Sequence, residues 1–319
     1  MRVLMLTHPS DTPSTRHRIL PLIPLFRRDG VEIEQVEIPS GLLGRWRVLR
    51  RASAFDIVVH QKRLIPSWQM RALKRRSKAL VYDFDDPMVF SRHDGAVSLS
   101  STRVARFRAA MAAADAVVCH AGSDALAREY GASNIVVIPT PVDLGRWPMK
   151  TSWASPRLTL GWLGSAANLP NLKEIAPALA GRTLRIVADA TVDLPGIAVE
   201  HVKWDAATEA EQVRAFDVGL APLPDDVWSR FKMPFKIVPY FASGVPVVAT
   251  ALGAVSGVIR DGQNGLLAGD WKAQIARLED PALRERLGRA GRRTAETDFT
   301  LDAAYSKWKA LFHSLMARS

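Results

Sequence analysis

The sequence predicts an α/β protein made of two doubly wound, Rossmann-like units, each a parallel sheet with helices on both faces. Three observations predict it. Short apolar runs of strand length alternate with helical stretches along nearly the whole chain. Pro139, Pro141, Pro148 and Pro156 then punctuate a stretch with no sustained period, as a linker does. Beyond them the alternation restarts, and 319 residues suit two domains of about 150 each.

The first unit opens with Val3–Thr7, an apolar run with the character of a buried parallel strand. A polar loop, His8–Thr15, leads to a helix over about Arg16–Asp29 that Gly30 closes. Val31–Ile38 alternates as a second strand, and basic helical sequence precedes a third, Phe55–His60. Ala79–Tyr82 is a fourth strand that runs straight into Asp83-Phe-Asp-Asp86. A helix over Thr102–Ala114, a strand Ala116–His120, a helix Ser123–Glu129 and a strand Asn134–Ile138 complete the unit. The second unit reads as strands 158–163, 184–188, 197–201, 218–221 and 245–249, with a strand-like Gly265–Leu267. Its helices fall after Asn168, at 207–215 and 235–243, and near 271–278 and 281–297. The expected organisation is a domain over 1–148, a domain over 149–300, and a terminal segment 301–319 whose amphipathic helix packs back on the first domain. Such βαβ units bind ligands beyond the carboxyl ends of their strands, in a cleft between the two domains.

Composition excludes several classes. There is no run of 18 apolar residues to form a spanning helix. The lone cysteine, Cys119, fits a reducing, cytoplasmic compartment. The histidines show no metal-ligand spacing, so no metal and no cofactor is expected. The net charge of +11 is concentrated: residues 42–78 hold eleven Lys and Arg against one acid, Asp56. Trp46, Leu49, Leu64, Ile65, Trp68 and Met70 are interleaved with those cations. This mixture suits an anionic membrane surface; a solvated basic face is the alternative. No nucleic-acid-reading module accompanies it, so nucleic acid is not an expected partner.

The strongest local signal is Ala221-Pro-Leu-Pro-Asp-Asp226, then Lys232-Met-Pro-Phe-Lys236, then Tyr240 to Thr250. A strand ends at a Pro-rich loop, a short helix begins near Pro234, and Gly244 stops it. Arg230, Lys232 and Lys236 beside a helix start make an anion site, of the sort a diphosphate leaving group requires. Surface lysines on an ordinary helix–strand connection are the plain alternative.

The pattern K-x-P-x-K-x-x-x-Y-x-x-x-G-x-P-V-V-A-T at 232–250 resembles the donor-site segment of retaining family 4 glycosyltransferases with the GT-B fold. Gly161-Trp-Leu-Gly-Ser165, Val137–Asp143, Asp261-Gly-Gln-Asn-Gly-Leu-Leu267 and Asp280–Arg284 resemble further family phrases in the same order. The resemblance implies two Rossmann-like domains facing each other across a cleft, with a UDP- or GDP-sugar donor held by the second. It implies donor-binding roles for Gly164, Ser165, Trp204, Arg230, Lys232, Lys236 and Tyr240. One departure stands out: the two glutamates that family members space as E-x7-E are replaced by Phe231 and Pro239, so contacts to sugar and ribose are in doubt. Asp225 and Asp226 are candidate substitutes.

On the acceptor side, Asp83 or Asp85 occupies the strand end where the family often places a histidine. A carboxylate there can take a hydrogen bond from a reacting hydroxyl, so Asp83, Asp85 and Lys236 are the expected catalytic residues. Arg16, Arg18 and Asp86 are expected on the acceptor side, the arginines either holding a phosphate or solvated. The expected activity is transfer of a sugar to a lipid-linked or polysaccharide acceptor at the inner face of the cell membrane. A non-catalytic binder of a nucleotide sugar or glycan is the second reading. A nicotinamide-dependent oxidoreductase is the third, disfavoured because His8-Pro-Ser-Asp11 is nothing like G-x-G-x-x-G.

Overall fold

A computed structural model describes residues 1–93 and 96–318. The chain divides into two compact units, 1–141 with 231–233 and the helix that begins at Leu301, and 142–230 with 234–300. Each is α/β, with a sheet of six parallel strands among the described residues.

In the first unit β1 (Arg2–Thr7) leads to α1 (Pro13–Arg18) and α2 (Ile23–Arg28). The single helix expected over 16–29 is broken because Pro21 and Pro24 lack the N–H that would continue it; a 3-10 turn over Leu20–Leu22 joins the pieces. Then come β2 (Glu32–Glu37), α3 (Leu42–Arg50), β3 (Ile57–Gln61), α4 (Ser67–Arg76) and β4 (Ala79–Asp83). A polar hairpin, β5 (Phe90–His93) and β6 (Ala96–Leu99), precedes α5 (Ser101–Ala113), β7 (Ala116–Cys119), α6 (Asp124–Glu129) and β8 (Ile135–Val137). The sheet order is β2-β1-β3-β4-β7-β8. β1 pairs β3 in parallel register from Val3↔Ile57 to Leu6↔His60.

The second unit runs β9 (Thr159–Leu163), α7 (Asn171–Leu179), β10 (Thr183–Ala188), β11 (Ala198–Lys203), α8 (Glu209–Arg214) and β12 (Val218–Ala221). It continues with α9 (Ile237–Ala242), β13 (Val247–Thr250), α10 (Val255–Val258), β14 (Leu266–Ala268), α11 (Trp271–Arg277) and α12 (Pro281–Asp298). Its sheet order is β11-β10-β9-β12-β13-β14. The expected turn at Asp261–Leu267 is built by side chains: Asp261 accepts from the Leu267 N–H, and buried Asn264 accepts from the Arg260 N–H.

The last helix, α13 (Leu301–Met316), packs within the first unit. It buries Tyr305, Trp308, Leu311, Phe312 and Leu315 against Ile19, Leu22, Ile23 and Phe26. Phe26 meets the rings of Tyr305 at 5.0 Å edge-on and Phe312 at 5.2 Å stacked. Asp29 receives hydrogen bonds from the Tyr305 hydroxyl and the Lys309 ammonium, which hold its carboxyl well below the usual carboxylate range.

Candidate active site

In the second unit the chain leaves β9 for β10 on one side and later returns as β12 on the other. Loops after β9 and β12 therefore diverge, which opens a crevice at the carboxyl ends of these strands. The β9 loop begins with Gly164, whose N–H donates to the Val187 carbonyl at 3.2 Å. Trp162 lies fully buried on β9, and the Lys236 Nζ sits 3.7 Å from its ring centroid. A Cβ added at Gly164 would come within 2.7 Å of the Trp162 ring and 3.1 Å of that Nζ, so only glycine fits this close approach.

Tyr240 lies beneath, fully buried, and acts as a strut. Its hydroxyl accepts from the Leu163 N–H at 2.9 Å and donates to the Leu220 carbonyl at 3.4 Å, tying β9 to β12. Burial pushes its phenol above the ordinary range. Ser165 is exposed beside Gly164, its Oγ accepting from the Asn168 amide at 2.9 Å. Trp204 follows β11 at the edge of the sheet, two strands from β9, and donates its indole N–H to Glu209 at 2.8 Å. Arg230 is exposed and paired with Asp225 at 3.1 Å. Asp226 is used locally, accepting from the Ser229 N–H. Thr250 bonds both the N–H and the carbonyl of Leu223, fastening the loop after β12 to the end of β13.

In the first unit the corresponding switch point lies between β1 and β3. Arg18 and Asp83, expected to contact substrate, instead hold each other. The Arg18 Nε reaches both Asp83 oxygens at 2.8 and 3.0 Å, and Nη2 reaches Oδ1 at 2.7 Å. Both side chains are essentially unexposed, and Arg18 Nη1 is spent on the Ile138 carbonyl, which leaves neither a surface for a ligand. Burial drives Asp83 upward against the pull of that guanidinium.

Asp85 and Asp86 differ from Asp83: each side chain is partly exposed, although Asp85 Oδ1 itself is buried. Between them sits Lys62, which sequence reasoning missed as a site residue. Its Nζ is 2.8 Å from Asp85 Oδ1, 2.5 Å from Asp86 Oδ2 and 2.9 Å from the Ser14 hydroxyl. Lys62 has φ +57°, alone among described non-glycine residues in the left-handed region, at a cost of roughly 1–2 kcal/mol. Arg16 lies half-buried at the α1 end, with its guanidinium 2.9 Å from the His17 ring. Lys232, expected on the donor rim, packs with the first unit, 4.0 Å from Asp86 Oδ1. Phe231 stacks on Phe90 at 6.4 Å and its carbonyl accepts from the Ser123 hydroxyl. Among the described residues no group of three His, Cys, Asp or Glu side chains is arranged to hold a metal ion.

Comparison with known proteins bears on this architecture. Residues 168–280 match the family model of glycosyl transferases group 1. No curated protein matches the sequence. The fold is similar to sucrose-phosphate synthase from Thermosynechococcus elongatus (TM-score 0.82, 15% identity, all of both chains covered). It is also similar to a glycosyltransferase from Rickettsia africae (TM-score 0.71, 13% identity, 100% of this chain and 99% of that one). A third similar structure is HepE from Anabaena, solved in complex with UDP-glucose (TM-score 0.67, 15% identity, 98% and 100% covered). The chain has the GT-B fold, and its segment 168–280 carries a glycosyl transferases group 1 match.

Proposed function

We propose that this chain is a retaining, metal-independent glycosyltransferase that moves a sugar from a UDP- or GDP-sugar to a lipid-linked or polysaccharide acceptor. The observation that carries this reading is the Lys236 ammonium seated over Trp162 at the mouth of the crevice beyond β9. Charge builds on a departing diphosphate as the glycosyl bond breaks, and a fixed cation with Gly164 beside it stabilises that charge without reorganising. The group 1 match includes Lys236, and UDP-glucose is the ligand bound to HepE. Tyr240 then serves as the strut that fixes the β9 loop, with Ser165, Trp204 and Arg230 completing the donor contacts. In the first unit Asp85, with Asp86 beside it, receives the acceptor hydroxyl. Arg18 and Asp83 position this corner, and Arg16 borders it. Peripheral attachment to the inner face of an anionic membrane accounts for the α3–α4 arginines, and no helix of the described residues is long and apolar enough to cross a membrane.

Heating the purified protein with a panel of UDP- and GDP-sugars tests the donor. A donor at about 100 times its Kd stabilises by about 2.7 kcal/mol, which a thermal scan resolves. Lys236→Ala is expected to abolish both this shift and hydrolysis of the donor. No shift with any nucleotide sugar or nucleoside diphosphate overturns the reading. Phe231 favours one alternative, a non-catalytic binder, because an aromatic ring packed on Phe90 stands where the resemblance calls for an acid. That alternative predicts stabilisation by the donor with neither hydrolysis nor transfer.

A further inference from the structure

Three elements of the first unit meet at Lys62. Ser14 comes from α1, Lys62 directly follows β3, and Asp85 and Asp86 follow β4. The Lys62 backbone is pinned on both sides: its N–H donates to the Asp83 carbonyl at 2.7 Å, and its carbonyl accepts from the Tyr82 hydroxyl at 2.9 Å. Backbone strain that the surroundings hold in place gathers at functional sites. We propose that Lys62 is a positioning residue that holds the Asp85 carboxylate, with Asp86 beside it, aimed at a sugar hydroxyl of the acceptor, an inference that rests on the transferase reading above.

The geometry supplies the reasons. Two consecutive carboxylates repel each other, and without a cation between them one would take up a proton. Lys62 bridges them and also fixes the Ser14 hydroxyl, which donates to Asp85 Oδ2 at 2.6 Å. Asp85 Oδ1 is buried against Lys62, so Oδ2, fixed by Ser14, is the oxygen of this carboxylate that can take a further hydrogen bond. Burial alone would lower the Lys62 ammonium and raise the Asp85 carboxyl; their mutual attraction reverses both, leaving Lys62 above and Asp85 below their usual ranges. The other charges around Asp85 do not replace Lys62. Arg18 is committed to Asp83, Lys232 lies near Asp86 alone, and burial with the field of Lys62 and Arg63 lowers the His8 imidazole. His120 faces the Asp85 backbone carbonyl through Nε2 at 2.8 Å, not the carboxylate.

The test uses the full chain labelled with 13C at the aspartate carboxyl carbons, with Asp85 assigned through Asp85→Asn. Lys62→Met and Lys62→Asn are expected to raise the Asp85 titration midpoint by about 1–3 units, and Lys62→Arg to retain the low value. Lys62→Asn matters because asparagine tolerates the left-handed backbone and so separates the clasp from the strain. In parallel, the acid limb of kcat/KM for sugar transfer is expected to move up with the same midpoint while the KM for donor stays fixed. An unmoved Asp85 midpoint in folded Lys62→Asn overturns the clasp. A moved midpoint with an unmoved acid limb overturns the positioning role. No transfer by the wild-type protein overturns the transferase reading and the acceptor role with it, and the NMR arm distinguishes that failure from a failure of the clasp.

Discussion

Arg18 and Asp83 form the most thoroughly buried charge pair among the described residues of the first unit, and their worth lies in being matched. Removing one partner leaves an uncompensated charge in the core, which costs about 3–5 kcal/mol. Asp83→Asn is therefore expected to lower the urea midpoint strongly with an unchanged m-value. Arg18→Met combined with Asp83→Leu is expected to recover most of that loss, because an apolar pair of similar volume needs no charge partner. A double variant no more stable than Asp83→Asn would show that the pair contributes more than charge balance. Asp-Phe-Asp-Asp at a strand end marks a polar site, but only the structure separates Asp83, turned into the core, from Asp85 and Asp86. Lys62 left no trace in the sequence, since a left-handed lysine is set by tertiary contacts and not by local preference. Gly164 and Lys236 were legible, because a glycine after an apolar strand and a lysine before a short helix each have a local reason to be there.

At the scale of elements, α3 and α4 give the basic stretch a definite face. Leu43, Trp46, Arg47 and Arg50 share one side of α3 by helical spacing, and Trp68, Arg71 and Arg75 share one side of α4. The Trp46 and Trp68 rings meet at 5.7 Å, and Arg76 lies over Trp46. Leu42, Leu43 and Trp68 are exposed. Other cations of the stretch are spent locally: Lys74 on Asp115, Lys78 on Asp56, Arg51 on Glu34, and Lys62 in the clasp. The protein is expected to float with anionic vesicles and not with neutral ones, losing about 1 kcal/mol of binding for each of Arg47, Arg50, Arg71 and Arg75 changed to Gln. Equal flotation with both lipids, or no effect of the quadruple change, would refute it. Central parallel strands such as β1, β3 and β4 are the most legible elements, since burial on both faces makes them continuous apolar runs. The antiparallel pair β5 and β6 is not legible in the sequence, because each strand is only four residues long and Ser91-Arg92-His93 carries no apolar alternation. The helix expected over 16–29 is split by two prolines inside an otherwise helical pattern.

For the molecule as a whole, the first unit is discontinuous in sequence. Tyr305, Trp308, Leu311, Phe312 and Leu315 on α13 each contribute about 1.5–3 kcal/mol by burial, a sum comparable to the roughly 5–15 kcal/mol that holds a whole domain. Residues 1–141 expressed alone are thus expected to lack cooperative unfolding, whereas the same segment linked to residues 301–318 should regain a sigmoidal urea transition. A stable isolated 1–141 would contradict the weight given to α13. This arrangement also orders events during synthesis. At about 5–20 residues per second, the ribosome takes roughly 8–30 s to make residues 142–300 after residue 141 has been joined. Throughout that interval Ile19, Leu22, Ile23 and Phe26 lack their cover. The second unit can finish folding before the first, reversing the order in which the two were begun, and the early segment is the one whose apolar surface stays open while it waits.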